Sequence, residues 1–357
     1  MLGAAQEAGV SLISVSPVLV HFPSAEEEQI HLRFTVTRHY VQSVRHFLET
    51  TYGQGSELHA ALRDAVQQRN AWQRIQRAEK VDLDAVRRFL VLGWASEVQL
   101  RIPATLGAAG PIGFFNAWSP VHAYYAVYGI LQAWFAANSI GGLTDDHTAA
   151  LKTISAMIRE RDLFPQPWCL LAAGCPMRGE KVHLNAPDGV DCGAHIELLT
   201  IPTKRDSEAA FWARYGSWLR STRAARLTRR EDQWKKKNGK ERISPKMRAE
   251  FAKGLAPTSF FDCLWRMRIR ANYGSIDPFI TSYIPETEHY QFHHALMVCV
   301  DATAGLIEQY VARKIGRDAY AEIAASFVNN DGAGLLKDTL QVRLDTYGLR
   351  PRKQKEE

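Results

Sequence analysis

Three arginines at alternate positions of one apolar segment are the residues best suited to bind an anion. Arg266, Arg268 and Arg270 lie in a segment whose spacing of large apolar residues predicts a helix. On a helix, Arg266 and Arg270 share one face with Asp262 one turn earlier. Two guanidinium groups on one face can clamp a phosphate. They can equally form ion pairs with Asp262 and Asp277 inside the fold, and the sequence leaves both interpretations open.

A second candidate is the basic segment 214–253, which holds 14 Lys and Arg against four acidic residues, a net charge of +10. The rest of the chain sums to −4, so the positive charge is concentrated. Arginines recur there at steps of three and four, and a lysine run follows them, with Trp218 and Trp234 nearby as stacking surfaces. Such a stripe can supply affinity for nucleic acid or can dock an acidic protein. Its members are Arg220, Arg223, Arg226, Arg230, Lys235, Lys236 and Lys237.

Cysteines and histidines suggest two metal sites, and neither pattern is complete. One set falls within 27 residues, but its first two cysteines are too widely spaced for a short chelating turn. His289 and His293 are one helical turn apart, but no glutamate follows His289, so the metalloprotease pattern is missing. We therefore expect no metal and no cofactor, although the cysteine set stays open as a ligand group. That set is Cys169, Cys175, His183, Cys192 and His195.

Composition and missing motifs narrow the class of protein. The 357 residues are 46% hydrophobic and 23% charged, which is typical of a globular chain. No glycine-rich phosphate loop and no Gly-x-Ser-x-Gly occurs, which disfavours an ATPase, a Rossmann dehydrogenase and an α/β-hydrolase. Five cysteines predict no disulfide framework. Because neither an export signal nor an apolar run of about 20 residues is recognisable, we expect a cytoplasmic protein without a membrane partner.

The elements that would position these residues are mostly helical. We predict a mainly α protein, a helical bundle with a small N-terminal β element and a basic helical insertion. The β element would pair strands at Val15–Phe22 and Gln29–Thr37, and a further strand is predicted at His195–Ile201. The predicted divisions are an N-terminal β element (1–37), a first part of the bundle (38–163), an irregular segment with the basic insertion (164–256), a second part of the bundle (257–349) and a flexible tail (350–357).

Two segments together carry a resemblance to a known family. The first reads Ser119-Pro-Val-His-Ala-Tyr-Tyr-Ala-Val-Tyr-Gly-Ile-Leu and is followed by a helix that starts near His147. The second reads Leu264-Trp-Arg-Met-Arg-Ile-Arg-Ala-Asn-Tyr-Gly and precedes the long predicted helix 286–314. The pattern resembles the HEPN superfamily, helical bundles of RNA-cleaving toxins, antiviral defence proteins and nucleotidyltransferase-associated partners. The first segment is similar to the family's tyrosine-rich second helix, and the second to the arginine-bearing turn before its last helix.

The resemblance implies a dimeric bundle that acts on RNA in prokaryotic defence or toxin–antitoxin systems. The family's signature is an arginine, four to six residues, and then a histidine, but here Asp277 stands where the histidine is expected. An aspartate donates no proton near pH 7 at its ordinary pKa, and it repels phosphate. A metal-independent endoribonuclease would therefore need an atypical set, Arg270 with Asn272, Tyr273 or His122.

The sequence thus predicts a HEPN-like protein that binds RNA or DNA and forms a homodimer. Arg266, Arg268 and Arg270 would contact phosphate, and the basic stripe would supply affinity. The alternative is a non-catalytic scaffold or adaptor subunit whose stripe docks an acidic protein partner. Whether the protein is an atypical ribonuclease, and whether RNA or DNA is the partner, stay open from the sequence.

Overall fold

The computed structural model describes residues 24–77, 80–105, 112–140, 146–176, 182–274, 284–329 and 334–347. In these ranges the chain forms thirteen α-helices, one π-helical turn and one two-stranded sheet, so the protein is mainly α, as predicted. The helices are α1 (Ala25–Tyr52), α2 (Ser56–Gln67), α3 (Asn70–Arg74), α4 (Leu83–Thr105), α5 (Ile112–Asn116), α6 (Ser119–Ala137), α7 (His147–Arg161), α8 (Glu208–Asn238), α9 (Pro245–Lys253), α10 (Phe260–Ile269), α11 (Glu286–Ile315), α12 (Arg317–Val328) and α13 (Gly334–Thr346).

Helices α4 and α6 form the tightest pair, with their backbones nearly in contact. Asp82 caps α4 by accepting a hydrogen bond from the Ala85 N–H at 2.9 Å. Gly93 of α4 faces Gly129 of α6, and a Cβ added to Gly129 would lie 2.6 Å from the Gly93 nitrogen. The two helices can therefore approach this closely only without side chains at the crossing.

Helix α11 runs through the centre of the bundle and packs against α1, α4 and α6. By length and composition it could cross a membrane, but 83% of its most apolar window is buried inside the protein. Phe292 and Leu296 near its start and Leu306 and Ile307 near its end are fully buried. The apolar surface of α11 is thus the hydrophobic core of the bundle.

The predicted strand Gln29–Thr37 is wrong, because these residues lie in α1. Ser24 and Glu27 form a capping box that starts the helix, and Ser24 accepts a hydrogen bond from the Glu27 N–H at 3.2 Å. Phe34 is buried against the Phe292 ring of α11 at 5.5 Å. Tertiary packing and the cap therefore outweigh the β propensity of the local residues. The other predicted strand, Val15–Phe22, and the tail 350–357 lie outside the described residues.

The small β element lies in the middle of the chain. Strands β1 (Leu171–Ala173) and β2 (Val182–Leu184) pair antiparallel, with Ala172 opposite His183. The predicted strand His195–Ile201 is also wrong, since this segment is irregular. Its carbonyl groups are held by side chains instead of a strand partner: His39 Nδ1 lies 2.9 Å from the Leu198 oxygen.

The basic segment is helical, as predicted, and the first half of α8 belongs to the core. Phe211, Trp212, Tyr215 and Trp218 are buried there. The Phe211 ring stacks on the Phe47 ring of α1 with centroids 4.1 Å apart. Beyond Leu227 most side chains of α8 and α9 are exposed. The aromatic half of α8 thus fixes the position of the arginines that follow it.

Candidate functional site

The arginine-bearing helix α10 lies beside α8, and a buried carboxylate fixes its first turn. The Ser259 N–H donates to Asp262 Oδ2 at 2.8 Å in a capping box. Asp262 Oδ1 pairs with the Arg226 guanidinium of α8 at 2.9 Å, so this acid joins the two helices. The carboxylate that the sequence offers to Arg266 is therefore held by Arg226 instead.

Arg266 and Arg270 remain without a carboxylate partner among the described residues. Arg266 Nη1 donates to the hydroxyls of Ser221 and Thr222 at 3.0 and 3.3 Å. Burial lowers the pKa of Arg266. Burial, with the nearby positive charges of Arg266 and Arg33, lowers the pKa of Arg270 to about 10. The positive charges of Arg33 and Arg266 thus act on Arg270, and no carboxylate of the described residues pairs with Arg266 or Arg270, so an external anion would relieve the repulsion.

These arginines line a basic cleft between α8 and α10. Two adjoining cavities of about 200 and 340 Å³ share Arg226, Arg229 and Trp265 in their walls. The Arg229 guanidinium lies 5.1 Å from the centroid of the Trp265 ring, where it makes a cation–π contact. We call this the α8–α10 cleft. Its cations are Lys152, Arg226, Arg229, Arg230, Arg266 and Arg270, and its carboxylate is Asp262.

The prediction that Arg223 contacts nucleic acid is wrong. Its side chain is only 2% exposed, and it donates to the carbonyls of Gly174, Ala252 and Ala256 at 2.7 to 3.0 Å. Arg223 therefore joins β1, α9 and the approach to α10. The helical spacing correctly places the arginines of α8 on one face. At Arg223, however, that face packs against backbone carbonyl groups that need hydrogen-bond donors.

The remaining members of the predicted stripe divide between structure and surface. Arg220 donates to the Gly193 carbonyl at 3.0 Å, and Arg230 lies 5.5 Å from the Phe251 ring centroid. Lys235 pairs with Asp232 at 3.7 Å. Lys236 and Lys237 at the end of α8 are exposed. Fewer basic residues of the predicted stripe are therefore exposed beside the cleft than the sequence suggests.

Arg268 lies apart from Arg266 and Arg270, in a cluster of tyrosines. Its Nη2 donates to the Tyr125 hydroxyl at 2.7 Å, and its guanidinium lies 5.9 Å from the Tyr124 ring centroid. The Tyr124 hydroxyl in turn lies 2.9 Å from His147 Nδ1. Burial and the Arg268 charge lower the pKa of His147, so its imidazole is neutral at pH 7 and can accept a proton.

Sequence reasoning missed His147 as part of this cluster. The signal was present, because His147 starts the helix that follows the tyrosine-rich segment. What the sequence does not show is that α7 turns back so that this ring contacts Tyr124, Tyr125 and Tyr128, with centroids 5.5, 6.0 and 4.5 Å apart.

The predicted atypical catalytic set is not joined by hydrogen bonds within the described residues. Asn272 is half-buried in the π-helical turn Arg270–Gly274. His122 is half-buried on α6, and burial lowers its pKa. The side chain of Tyr273 and all of Asp277 lie outside what the structure describes.

The candidate metal ligands are occupied by other contacts. His289 and His293 are buried, and Asn116 Nδ2 and Ser119 Oγ lie 3.2 and 3.0 Å from their Nδ1 atoms. All five cysteines are buried. The part of the chain that the structure describes contains no group of three or more His, Cys, Asp or Glu that could hold a metal ion.

No protein-family model, curated protein or solved structure matches this chain. The function is therefore inferred from the α8–α10 cleft and its charges.

Proposed function

We propose that the protein binds nucleic acid, RNA or DNA, with the phosphate backbone in the α8–α10 cleft. The observation that carries this proposal is the pair Arg266 and Arg270, which are partly desolvated and have no carboxylate partner among the described residues. A hydrogen bond from a charged donor to phosphate contributes about 1.5–3 kcal/mol, and here part of the cost of desolvating the guanidinium groups is already met by folding.

Exposed residues at the cleft add a second contribution. Arg229 is exposed and lies on the Trp265 ring, and both line the cavities. A guanidinium plane and an indole face are surfaces on which bases stack without regard to sequence. Lys236 and Lys237 continue the positive surface beyond the cleft. We therefore expect affinity that depends on salt and little on base sequence.

The HEPN-like character and a role in prokaryotic defence are parts of the same proposal. Arg268 supports them, because it links the arginine-bearing segment to Tyr125 of the tyrosine-rich helix, the two segments on which the resemblance depends. A cytoplasmic homodimer is the form we expect, and sedimentation velocity of the purified chain measures the oligomeric state.

Fluorescence anisotropy with labelled RNA, single-stranded DNA and duplex DNA tests the binding. We expect Arg266→Gln and Arg270→Gln each to weaken binding about tenfold at low salt, because each removes one charge-assisted contact to phosphate. Each should also reduce the slope of log affinity against log salt by about one. Arg87→Gln is the matched control, since Arg87 is exposed on α4 and lies outside the cleft; it should leave affinity and slope unchanged.

Two outcomes would contradict the proposal. One is an absence of binding to any of the three nucleic acids at low salt while circular dichroism shows folded protein. The other is binding of an acidic polypeptide such as polyglutamate, with loss in Arg270→Gln, but no binding of nucleic acid. The second outcome would favour the scaffold that docks an acidic partner.

The same samples test the atypical ribonuclease. After incubation, the RNA is separated on a denaturing gel. Cleavage that is present in the unaltered chain and lost in Arg270→Gln, while Arg87→Gln still cleaves, would assign Arg270 a part in the reaction. Cleavage that survives Arg270→Gln would exclude Arg270 from it.

A further inference from the structure

A second cleft, of about 400 Å³, lies where helices α3, α6, α7 and α11 meet. It shares no lining residue with the α8–α10 cleft. Residues far apart in the chain form it: Arg74 from α3, Trp134 from α6, Arg161 from α7 and Lys314 from α11. We call it the α3–α7 cleft.

The charge of this cleft is uncompensated. Arg74, Arg161 and Lys314 contribute three positive charges, and its lining contains no acidic residue. None of the three forms an ion pair with a described residue. The nearest carboxylate in sequence, Asp162, is held by Arg69 at 3.2 Å and also accepts from the Asn70 side chain. Asp162 is therefore paired outside the cleft. Among the described residues no carboxylate competes with an external anion for the three cations.

Trp134 supplies an independent observation. Its side chain is 2% exposed, and its Nε1 atom has no hydrogen-bond partner in the described ranges. The three tryptophans with no exposed surface behave differently: the Nε1 atoms of Trp94, Trp168 and Trp212 donate to Glu308, Thr303 and Glu208 at 2.7, 2.9 and 3.0 Å. A buried donor without an acceptor costs about 1–3 kcal/mol, so a ligand atom that accepts a hydrogen bond from the Trp134 indole would stabilise the complex.

The rest of the lining consists of two polar side chains, Gln76 and Asn138, and an apolar wall. Met157 and Leu163 are buried and Ile75 is half-buried in the wall of the cleft. A volume of about 400 Å³ falls within the range of small-molecule sites. Three cations beside an apolar wall suit a molecule that has a dianionic group at one end and a body without charge at the other.

We propose that the α3–α7 cleft binds a phosphomonoester of about nucleotide size. Its phosphate contacts Arg74, Arg161 and Lys314, its body lies against Met157 and Leu163, and one of its acceptor atoms takes the hydrogen bond of the Trp134 indole. This site is separate from the binding of nucleic acid in the α8–α10 cleft, and either can fail without the other.

The indole N–H groups of the full chain provide a direct readout. The protein has nine tryptophans, so selective 15N labelling gives nine indole cross-peaks, and the Trp134 peak is the one lost in Trp134→Phe. Adenosine 5′-monophosphate should shift this peak saturably, inorganic phosphate should shift it with lower affinity, and adenosine should leave it unchanged. A shift with adenosine equal to that with the monophosphate would overturn the anion site. Equal affinity for inorganic phosphate and the monophosphate would overturn the part assigned to the apolar wall.

Calorimetric titration with adenosine 5′-monophosphate tests the cations. Arg161→Gln and Lys314→Gln should each weaken binding about tenfold or more, and Trp134→Phe, which keeps the ring but removes the donor, by about fivefold. Arg159→Gln is the matched control, because Arg159 lies on the same helix, pairs with Glu160 at 2.6 Å and does not line the cleft. Unchanged affinity in Arg161→Gln, or no saturable binding of the monophosphate or phosphate to the unaltered chain, would overturn the proposal. Affinity for RNA should be the same in all these variants.

Discussion

Two buried histidines in the core make the stability of the protein depend on pH. His289 and His293 lie on α11 with side chains that are almost fully buried. Burial lowers the pKa of each to about 4, whereas an unfolded histidine has a pKa of about 6.5. The unfolded chain therefore binds more protons than the folded one between these values. The stability that each neutral imidazole contributes is present above pH 6.5 and is lost as the pH falls toward 4.

We predict that the free energy of unfolding falls by about 2 kcal/mol for each of these histidines between pH 7 and pH 5. Urea denaturation at the two pH values measures it. The double variant His289→Gln/His293→Gln should lose about 4 kcal/mol less than the unaltered chain over this range, because glutamine does not titrate. His195→Gln is the control, since His195 is exposed. An unaltered pH dependence in the double variant would show that the pKa of each imidazole is the same in the folded and the unfolded protein.

At the scale of elements, the crossing of α4 and α6 depends on two glycines. A mid-helix Gly→Ala substitution usually stabilises a helix by about 1 kcal/mol. At Gly129 the added Cβ would lie 2.6 and 2.7 Å from the Gly93 nitrogen and Cα, backbone atoms that cannot rotate aside. Gly129→Ala should therefore force the two helices apart and lower the free energy of unfolding by about 2 kcal/mol.

Urea denaturation measures this change, with Gly334→Ala as the control. Gly334 starts α13, and no heavy atom of the described residues lies within 4 Å of a Cβ built there, so its substitution should change the free energy of unfolding by less than about 0.5 kcal/mol. Equal effects of the two substitutions would mean that α4 and α6 can adjust their spacing at no cost.

The helices were predictable where an N-cap residue precedes apolar residues that recur at helical spacing. Asp82 before α4 is such a case, and the apolar positions of α11 are another. Only the first part of α1 was predicted wrongly, as the strand Gln29–Thr37, because residues with β propensity follow a polar stretch there; the Ser24–Glu27 capping box favours the helix. The existence of most elements thus follows from local patterns, whereas a conflict between patterns is decided by tertiary packing.

The candidate site was only partly predictable, for a geometric reason. Spacing shows that Arg223 and Arg226 share a face, but it cannot show that Arg223 meets three carbonyls while Arg226 meets Asp262. In the same way, the sequence shows that Arg266 and Arg270 are neighbours. It does not show that no carboxylate of the described residues pairs with them, because that depends on how the helices pack. Partners that come from distant segments decide whether a charge is structural or available.

At the scale of the whole molecule, a buried charge network connects helices that are far apart in the chain. Arg343 of α13 is 0% exposed and contacts the carboxylates of Glu97, Asp301 and Glu308 at 2.8, 2.6 and 3.1 Å. His59 Nε2 lies 3.1 Å from the second Asp301 oxygen. The network thus joins α2, α4, α11 and α13.

The pKa values of Asp301 and Glu308 in this network shift in opposite directions. Burial would raise the pKa of Asp301, but the positive charge of Arg343 and the hydrogen bond with His59 outweigh burial and hold that pKa below its ordinary value. At Glu308 burial prevails over the Arg343 charge and raises the pKa. Asp301 therefore carries its charge in the folded protein and depends on Arg343 for compensation.

Arg343 pairs with all three carboxyl groups, whereas Arg101 reaches only Glu97 and Asp301, at 2.8 and 3.7 Å. The loss of Arg343 should therefore affect stability more than the loss of an exposed ion pair does. Arg343→Met keeps an apolar side chain in the space but leaves Asp301 and Glu97 without the buried cation, so we predict a loss of about 3–5 kcal/mol in the free energy of unfolding. Urea denaturation measures it, and Arg159→Gln, which breaks an exposed pair, should cost less than about 1 kcal/mol. Adding Asp301→Asn and Glu97→Gln to Arg343→Met should recover part of the loss, because it removes the uncompensated charges. Without such recovery, the lost stability would come from packing of the Arg343 side chain, and the four helices would not depend on the balance of charge.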